Sequence, residues 1–169
     1  MTDRHQPSDD LRSFRQALGS FPTGVTVVSA AAGERRVGVT ANSFSSVSLE
    51  PPLVLWSLNR TSGSLDVLRE ATHFAVNVLA HDQQAISQRF CTPADDKFAD
   101  LDVDEGAGGC PVLPGCAAVF ECRRVAEYDG GDHVILIGEV ERYATSGSDP
   151  LVFCQGGYHV AHPSSVPSS

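Results

Sequence analysis

The chain has 169 residues, one domain's worth, enough to bury a core without disulfide or metal staples. Its 21 acidic residues against 12 basic ones leave a net charge of −9. That balance excludes wrapping of nucleic acid and attraction to an anionic membrane, because both need clustered Lys and Arg. With 41% hydrophobic and 20% charged residues the composition is that of a soluble globular domain. No apolar run approaches the roughly 20 residues of a membrane helix, and the polar start MTDRHQPSDD has no signal-peptide stretch. The five cysteines, Cys91, Cys110, Cys116, Cys122 and Cys154, are odd in number and form no CxxC pair. They read as reduced thiols of a cytoplasmic protein rather than as a disulfide scaffold or zinc ribbon.

In chain order, residues 1–10 form a disordered lead. Ser8 is the candidate cap of a short helix carrying Leu11, Phe14 and Leu18 at helical spacing, with Gly19 after it. Pro22-Thr23-Gly24 reads as a turn, Val25 to Ser29 as a β-branched strand, and Arg36 to Thr40 as a second strand. Pro52 to Leu58 is apolar enough for a strand buried on both faces, and Ser62 or Ser64 caps a helix through Leu65, Leu68 and Arg69. His73 to Leu79 is another strand, and His81 to Phe90 a helix with Ala85, Ile86 and Phe90 on one side. Residues 91–115 are acidic, glycine-rich and irregular, as functional loops often are.

Cys116 to Ala126 and His133 to Tyr143 then pair as strands across Tyr128-Asp129-Gly130-Gly131, a hairpin signal. Leu151 to Phe153 starts a last strand, which Gly156-Gly157 breaks. Residues 162–169 are a disordered, low-complexity tail. One domain over 11–161 remains, with six or seven strands, two or three short helices and hairpin links. That is a mostly β chain favouring a barrel.

Several motifs fail. There is no P-loop, and Gly106-Ala107-Gly108-Gly109 opens no helix because Pro111 intervenes. Asp100, Asp102 and Asp104 imitate a calcium loop, but Glu105 replaces its glycine and Pro111 its glutamate. His159 and His162 lack a metal-site pattern, so no metal is expected.

Three stretches suit chemistry. In Thr40-Ala41-Asn42-Ser43-Phe44-Ser45-Ser46-Val47-Ser48, six of nine residues are Ser, Thr or Asn. Small side chains leave backbone polar groups open to a planar ligand, and hydroxyls supply neutral hydrogen bonds. The alternative is a plain polar loop. Ser57-Leu58-Asn59-Arg60-Thr61-Ser62-Gly63-Ser64 follows a buried strand and opens a helix. Free N–H groups and Arg60 there suit a phosphate, or merely cap the helix. Gly131-Asp132-His133 places a histidine at a hairpin edge, free to meet a second ligand or simply exposed.

Together FRQALGSFPTGVTVVSA, GVTANSFSSVSLEPPLVLWSLN, FAVNVLA, the GDH triplet, IGEV and DPLVFCQGGYH resemble the short-chain flavin reductases. These are FMN-binding split barrels that serve as reductase components of two-component flavin-dependent monooxygenases. The resemblance runs from about Leu11 to His159. It implies a homodimeric split β-barrel that passes a hydride from NADH or NADPH to FMN or FAD and supplies reduced flavin to a partner oxygenase. It implies flavin contacts at Thr40, Ala41, Asn42, Ser43, Ser46 and Ser48, and at Ser57, Leu58, Asn59 and Ser62, with Lys97 and Phe98 beside the ring. For the nicotinamide nucleotide it implies Gly131, Asp132 and His133, bordered by Pro22, Thr23, Gly24, Tyr158 and His159, with His133 positioning rather than acting as a base. Rival readings keep the barrel: an FMN-bound reductase of an iron complex or corrinoid, a non-enzymatic flavin binder, or a pyridoxamine-phosphate-oxidase-like protein. The acidic net charge sits oddly with two anionic ligands.

Overall fold

Three residues join the opposite edges of a seven-stranded sheet, and the sheet must curl to allow it. The computed structural model describes residues 6–8 and 10–162. The expected lead and tail fall largely outside them. The elements are α1 (Leu11–Gly19), β1 (Thr23–Gly24), β2 (Thr26–Ala32), β3 (Arg35–Ala41), β4 (Ser45–Leu49) and β5 (Pro52–Asn59). After them come α2 (Leu65–Glu70), β6 (His73–Val78), α3 (Gln84–Cys91), β7 (Asp104–Glu105), a 3-10 turn (Ala107–Gly109) and β8 (Pro111–Val112). The chain ends with β9 (Ala118–Gly130), β10 (His133–Thr145), β11 (Leu151–Cys154) and β12 (Gly157–Val160).

The main sheet is antiparallel in the order β3-β2-β6-β9-β10-β5-β4. Its two edge strands are consecutive in sequence. Residues 42–44 link them, and three residues reach about 10 Å at full extension. Edge therefore lies near edge, and a split barrel results. A smaller sheet, β1-β11-β12, carries the chain's two ends of the fold.

β2 separates two cores, because alternate side chains point to opposite faces. Val28 and Ala30 face the barrel interior with Trp56, Phe74, Val76 and Leu136, and α2 adds Leu65 and Leu68 to the same core. Val25 and Val27 face outward, where Phe90 of α3, Phe98, Leu113 and Leu151 cover them. Full burial of each such side chain stabilises by roughly 1.5–3 kcal/mol. The irregular 91–115 segment is anchored in this second core. Buried Asn77 donates to Val27 O and accepts from Leu113 N, and buried Ser29 donates to Pro111 O.

Several expectations shift. Asp10, not Ser8, caps α1, its carboxylate accepting from Arg12 N at 2.8 Å, and α1 buries none of its side chains. Residues 23–24 pair with β11 instead of turning. The 40–48 loop shrinks to 42–44, since β3 runs through Ala41 and β4 begins at Ser45. β5 is buried chiefly on the side of Val54, Trp56 and Leu58, not on both faces. Gly130 stays in β9, and the turn is Gly131–Asp132, with Gly131 at a φ of 78° that favours glycine. Gly156 ends no sheet: it turns β11 into β12. No helix among the described residues is long and apolar enough to cross a membrane.

Gly138 of β10 is a packing requirement. A Cβ there would lie 2.4 Å from Phe74 Cζ and 2.8 Å from Cys122 Cβ. Gly138→Ala is expected to lower unfolding free energy by about 1–3 kcal/mol, read from urea midpoints. An unchanged midpoint would show that the barrel interior yields freely at this point.

Candidate functional site

The split between β3 and β5 is the cleft. A cavity of about 540 Å³ is lined on one side by Val39 to Ser43 and on the other by Ser57, Leu58, Asn59 and Ser62, with Gly130, His133 and Ile135 at its end. A second cavity, about 580 Å³, shares Val39, Thr40 and Ser62 and extends to Arg36, Lys97 and Phe98. A third, about 200 Å³, shares Thr40, Ala41 and Asn42 and reaches Ser87, Phe153 and Tyr158. All three meet at Thr40. No carboxylate lines the first cavity, so the acidic surface does not extend into it.

The wall from 40 to 43 is held by hydroxyls. Thr40 Oγ1 donates to Ser87 O at 2.7 Å, and Thr26 Oγ1 donates to Ala41 O at 2.7 Å. Ser43 Oγ donates to Ser57 O (3.1 Å) and accepts from Ser57 N (2.9 Å), tying the link between the edges to β5. Ser87 is fully buried, and its own hydroxyl meets Tyr158 OH at 2.8 Å. The hydroxyls read from sequence as ligand donors thus hold the wall itself. The wall offers a ligand its backbone, the small Ala41 face and the Asn42 side chain, which has no hydrogen-bond partner among the described residues.

On the opposite wall, Asn59 Oδ1 accepts from Thr61 N (2.8 Å) and Thr61 Oγ1 (2.6 Å). That leaves its amide NH₂ as the available donor. Ser62 Oγ accepts from Ser64 N at 3.3 Å. Arg60 is not free for a phosphate. Its Nε donates to Gly131 O at 2.7 Å, its guanidinium pairs with Asp129, and its N–H donates to Asp132 O at 3.0 Å. It clasps the hairpin tip. The Arg60 hydrogen bond holds the Asp129 carboxyl below its usual range.

His133 Nδ1 and Asp132 Oδ1 are 2.7 Å apart, and the hydrogen bond from His133 holds the Asp132 carboxyl below its ordinary value. An ionised carboxylate only accepts, so Nδ1 carries the proton. Nε2 has no protein partner among the described residues.

The sequence-selected residues divide three ways. Thr40, Ala41, Asn42, Ser43, Ser57, Leu58, Asn59, Ser62 and His133 line one cavity. Lys97, Phe98 and Tyr158 border the adjoining ones. Lys97 Nζ donates to Phe90 O at 2.8 Å, and burial lowers its ammonium pKa. Phe98 packs edge-on to Phe90 in the outer core, with centroids 5.0 Å apart. Ser46 and Ser48 lie on β4 and line none of these cavities, because the wall turns away into that strand at Ser45. Pro22, Thr23 and Gly24 lie at or beside β1 and line none of these cavities; the Thr23 hydroxyl is buried without a partner among the described residues. His159 Nε2 donates to Cys154 O at 3.2 Å, outside the cavities. Ser87 and Cys91 were missed. Ser87 lies three residues before Phe90 and so shares its helix face, a signal that α3's apolar spacing carried.

The sequence matches the flavin reductase like domain over residues 18–162. It is 52% identical over 150 residues to FMN reductase (NADH) SmoA of Agrobacterium fabrum, covering 89% of this chain and 86% of that one. It is 37% identical over 157 residues to the flavin-dependent monooxygenase reductase subunit HsaB of Mycobacterium tuberculosis, covering 91% and 84%. Streptomyces globisporus NADH:FAD oxidoreductase SgcE6, solved with NAD and FAD fragments, superposes with a TM-score of 0.91 at 34% identity, covering 98% and 100%. Other relatives are longer, and the chain spans 48%, 51% and 65% of three of them.

Ser43→Ala is expected to cost about 1–2 kcal/mol of stability, since it removes a donor and an acceptor at once. Amide exchange at Ser57 should accelerate. If urea stability and Ser57 protection both stay as in the wild type, the hydroxyl does not hold the wall.

Proposed function

Given that the chain belongs to the family of flavin reductase like domains, we propose that the cleft between β3 and β5 binds a flavin and admits the nicotinamide of NADH or NADPH beside it. The protein is an NAD(P)H-dependent flavin reductase, and it supplies reduced flavin to a partner monooxygenase. The observation that carries the site is the meeting of three cavities at Thr40, with no carboxylate on the main one.

The residues present suit a flavin. The main cavity falls within the roughly 300–1,000 Å³ range of cofactor sites, and its donors are neutral and lie along two facing strands. Backbone groups of 40–43 border the ring, and Ser57, Leu58, Asn59 and Ser62 hold the ribityl chain and phosphate. Lys97 and Phe98 border the flavin from the adjoining cavity. Bound flavin supplies the hydride acceptor, and the cofactor pair carries the chemistry. The protein therefore needs no general acid or base for the transfer. Its task is to stack the two rings in register and keep them there. His133, oriented through Nδ1 by Asp132, positions the nicotinamide, and Arg60 keeps the hairpin tip that carries both residues in place. Gly131 supplies the positive φ that the tip's turn needs, and Tyr158 reaches the cleft from the cavity adjoining Thr40.

The protein works as a homodimer of single domains spanning 11–161, in the cytoplasm. Pairing is supported by apolar side chains left on the surface, Leu49 at 92% and Phe21 at 76% exposure, with Leu11, Phe14 and Leu18 along α1. A reducing compartment is supported by five free thiols, of which burial pushes Cys110 to about 11 and Cys116 and Cys122 to about 12.

The test is NADH and NADPH oxidation with and without added FMN or FAD. Oxidation that requires and saturates with flavin is expected. No oxidation with either flavin overturns the reductase reading. His133→Ala is expected to lower kcat/KM for the nucleotide about tenfold, a loss of near 1.4 kcal/mol, with the flavin KM held. Unchanged nucleotide kinetics would remove His133 from the site.

A further inference from the structure

The chain is acidic, and almost every described cation is already engaged. Arg35, Arg36, Arg60, Arg69, Arg123 and Arg142 each face a carboxylate. Arg89, Lys97 and Arg124 donate to backbone carbonyls. Among the described residues, only Arg12 and Arg15 are left without an acceptor. They are three positions apart in α1 and so share a face, which flanks the Leu11, Phe14 and Leu18 side.

That face lines a cavity of its own. Arg12, Arg15, Gln16 and Gly19 meet the Gln155–Gly156 turn around about 620 Å³ of space. The end of the helix is tied to the turn by Gln155 N donating to Gly19 O at 2.7 Å. The His133 hydrogen bond does most to hold the Asp132 carboxyl down, and Arg15 adds a smaller attraction from the side of the helix. Single unpaired arginines on a surface are ordinary. Two on one helix face, over a cavity, make a local positive site on a chain of net charge −9. Planar guanidiniums match phosphate oxygens in a fork geometry.

We propose that Arg12 and Arg15 form a phosphate subsite for the reducing dinucleotide, engaged when its nicotinamide lies at His133. The subsite rests on the reductase reading above. It is lined by none of the flavin residues. The phosphate comes from the pyrophosphate, common to NADH and NADPH, or from the 2′-phosphate of NADPH alone.

The test compares wild type with Arg12→Gln/Arg15→Gln in the full chain. Calorimetry of flavin-free protein with ADP-ribose and with 2′-phospho-ADP-ribose gives the binding arm. Steady-state kinetics with NADH and NADPH give the second. Affinity is expected to fall about tenfold in the variant, the scale of a lost charge-assisted contact, and wild-type affinity should weaken with added salt. The KM for nucleotide should rise, with kcat and the flavin KM unchanged. Equal losses for both probes assign the pyrophosphate, and a loss confined to the phosphorylated probe assigns the 2′-phosphate. Because α1 buries no side chain, the variant should fold, which circular dichroism verifies. Arg15→Lys, which keeps the charge, should retain part of the affinity. Unchanged affinity and KM in the folded variant overturn the subsite while leaving the reductase intact. Absence of NADH oxidation in the wild type overturns the underlying reading instead.

Discussion

A seven-stranded sheet whose first and last strands are joined by three residues has one way to satisfy both demands. It curls until its edges approach, and it does not zip shut, because β3 and β4 are not hydrogen-bonded to each other. The opening that remains is bounded by the ends of β3 and β5. Everything chemical in the molecule follows from that gap. It exposes backbone that a closed barrel would have paired, and it brings Thr40 to Ser43 opposite Ser57 to Asn59 without any loop long enough to wander. Ser43 then sets the width of the gap by bonding both polar groups of Ser57.

Most strands were legible because their apolar periodicity is strong. Val25 to Ser29 and Pro52 to Leu58 carry β-branched and large apolar residues, and burial on one or both faces leaves that mark in sequence. The 40–48 stretch reads as a loop in sequence, yet six of its nine residues lie in strands β3 and β4. Its hydroxyls signal hydrogen bonding without revealing the partner, and here the partners of Thr40 and Ser43 are the carbonyls and amide of neighbouring elements. Arg60 illustrates the same limit. A cation after a strand suits a phosphate by type, yet its acceptors, Asp129 and Gly131, lie some 70 positions further on. The cap of α1 went to Asp10 rather than Ser8 because a carboxylate two residues nearer can reach Arg12 N. Long-range partners decide the roles of Thr40, Ser43 and Arg60, and no local pattern encodes them.

The charge distribution resolves the tension between an acidic protein and anionic ligands. On β9 and β10, Glu121, Glu139 and Glu141 are met by Arg123, Arg142 and His73, while six more acidic residues crowd into residues 95–105. Such exposed pairs contribute little to stability and are screened by salt. Their arrangement matters more: acid and base neutralise one another across the sheet's outside, and the main cavity keeps only neutral linings. Net charge is thus a poor guide to the potential inside a cleft, which depends on the few groups that face it.

The position of the single tryptophan gives the protein an optical property. Trp56 is wholly enclosed in the barrel, edge-on to Phe74, and its indole N–H finds no acceptor among the described residues. An indole in so apolar a setting emits toward the blue. It also sits directly before Ser57 on the strand that forms one wall of the cleft. Any yellow chromophore lodged there absorbs where the indole emits, so occupancy of the cleft is written into the protein's own luminescence, with no label attached.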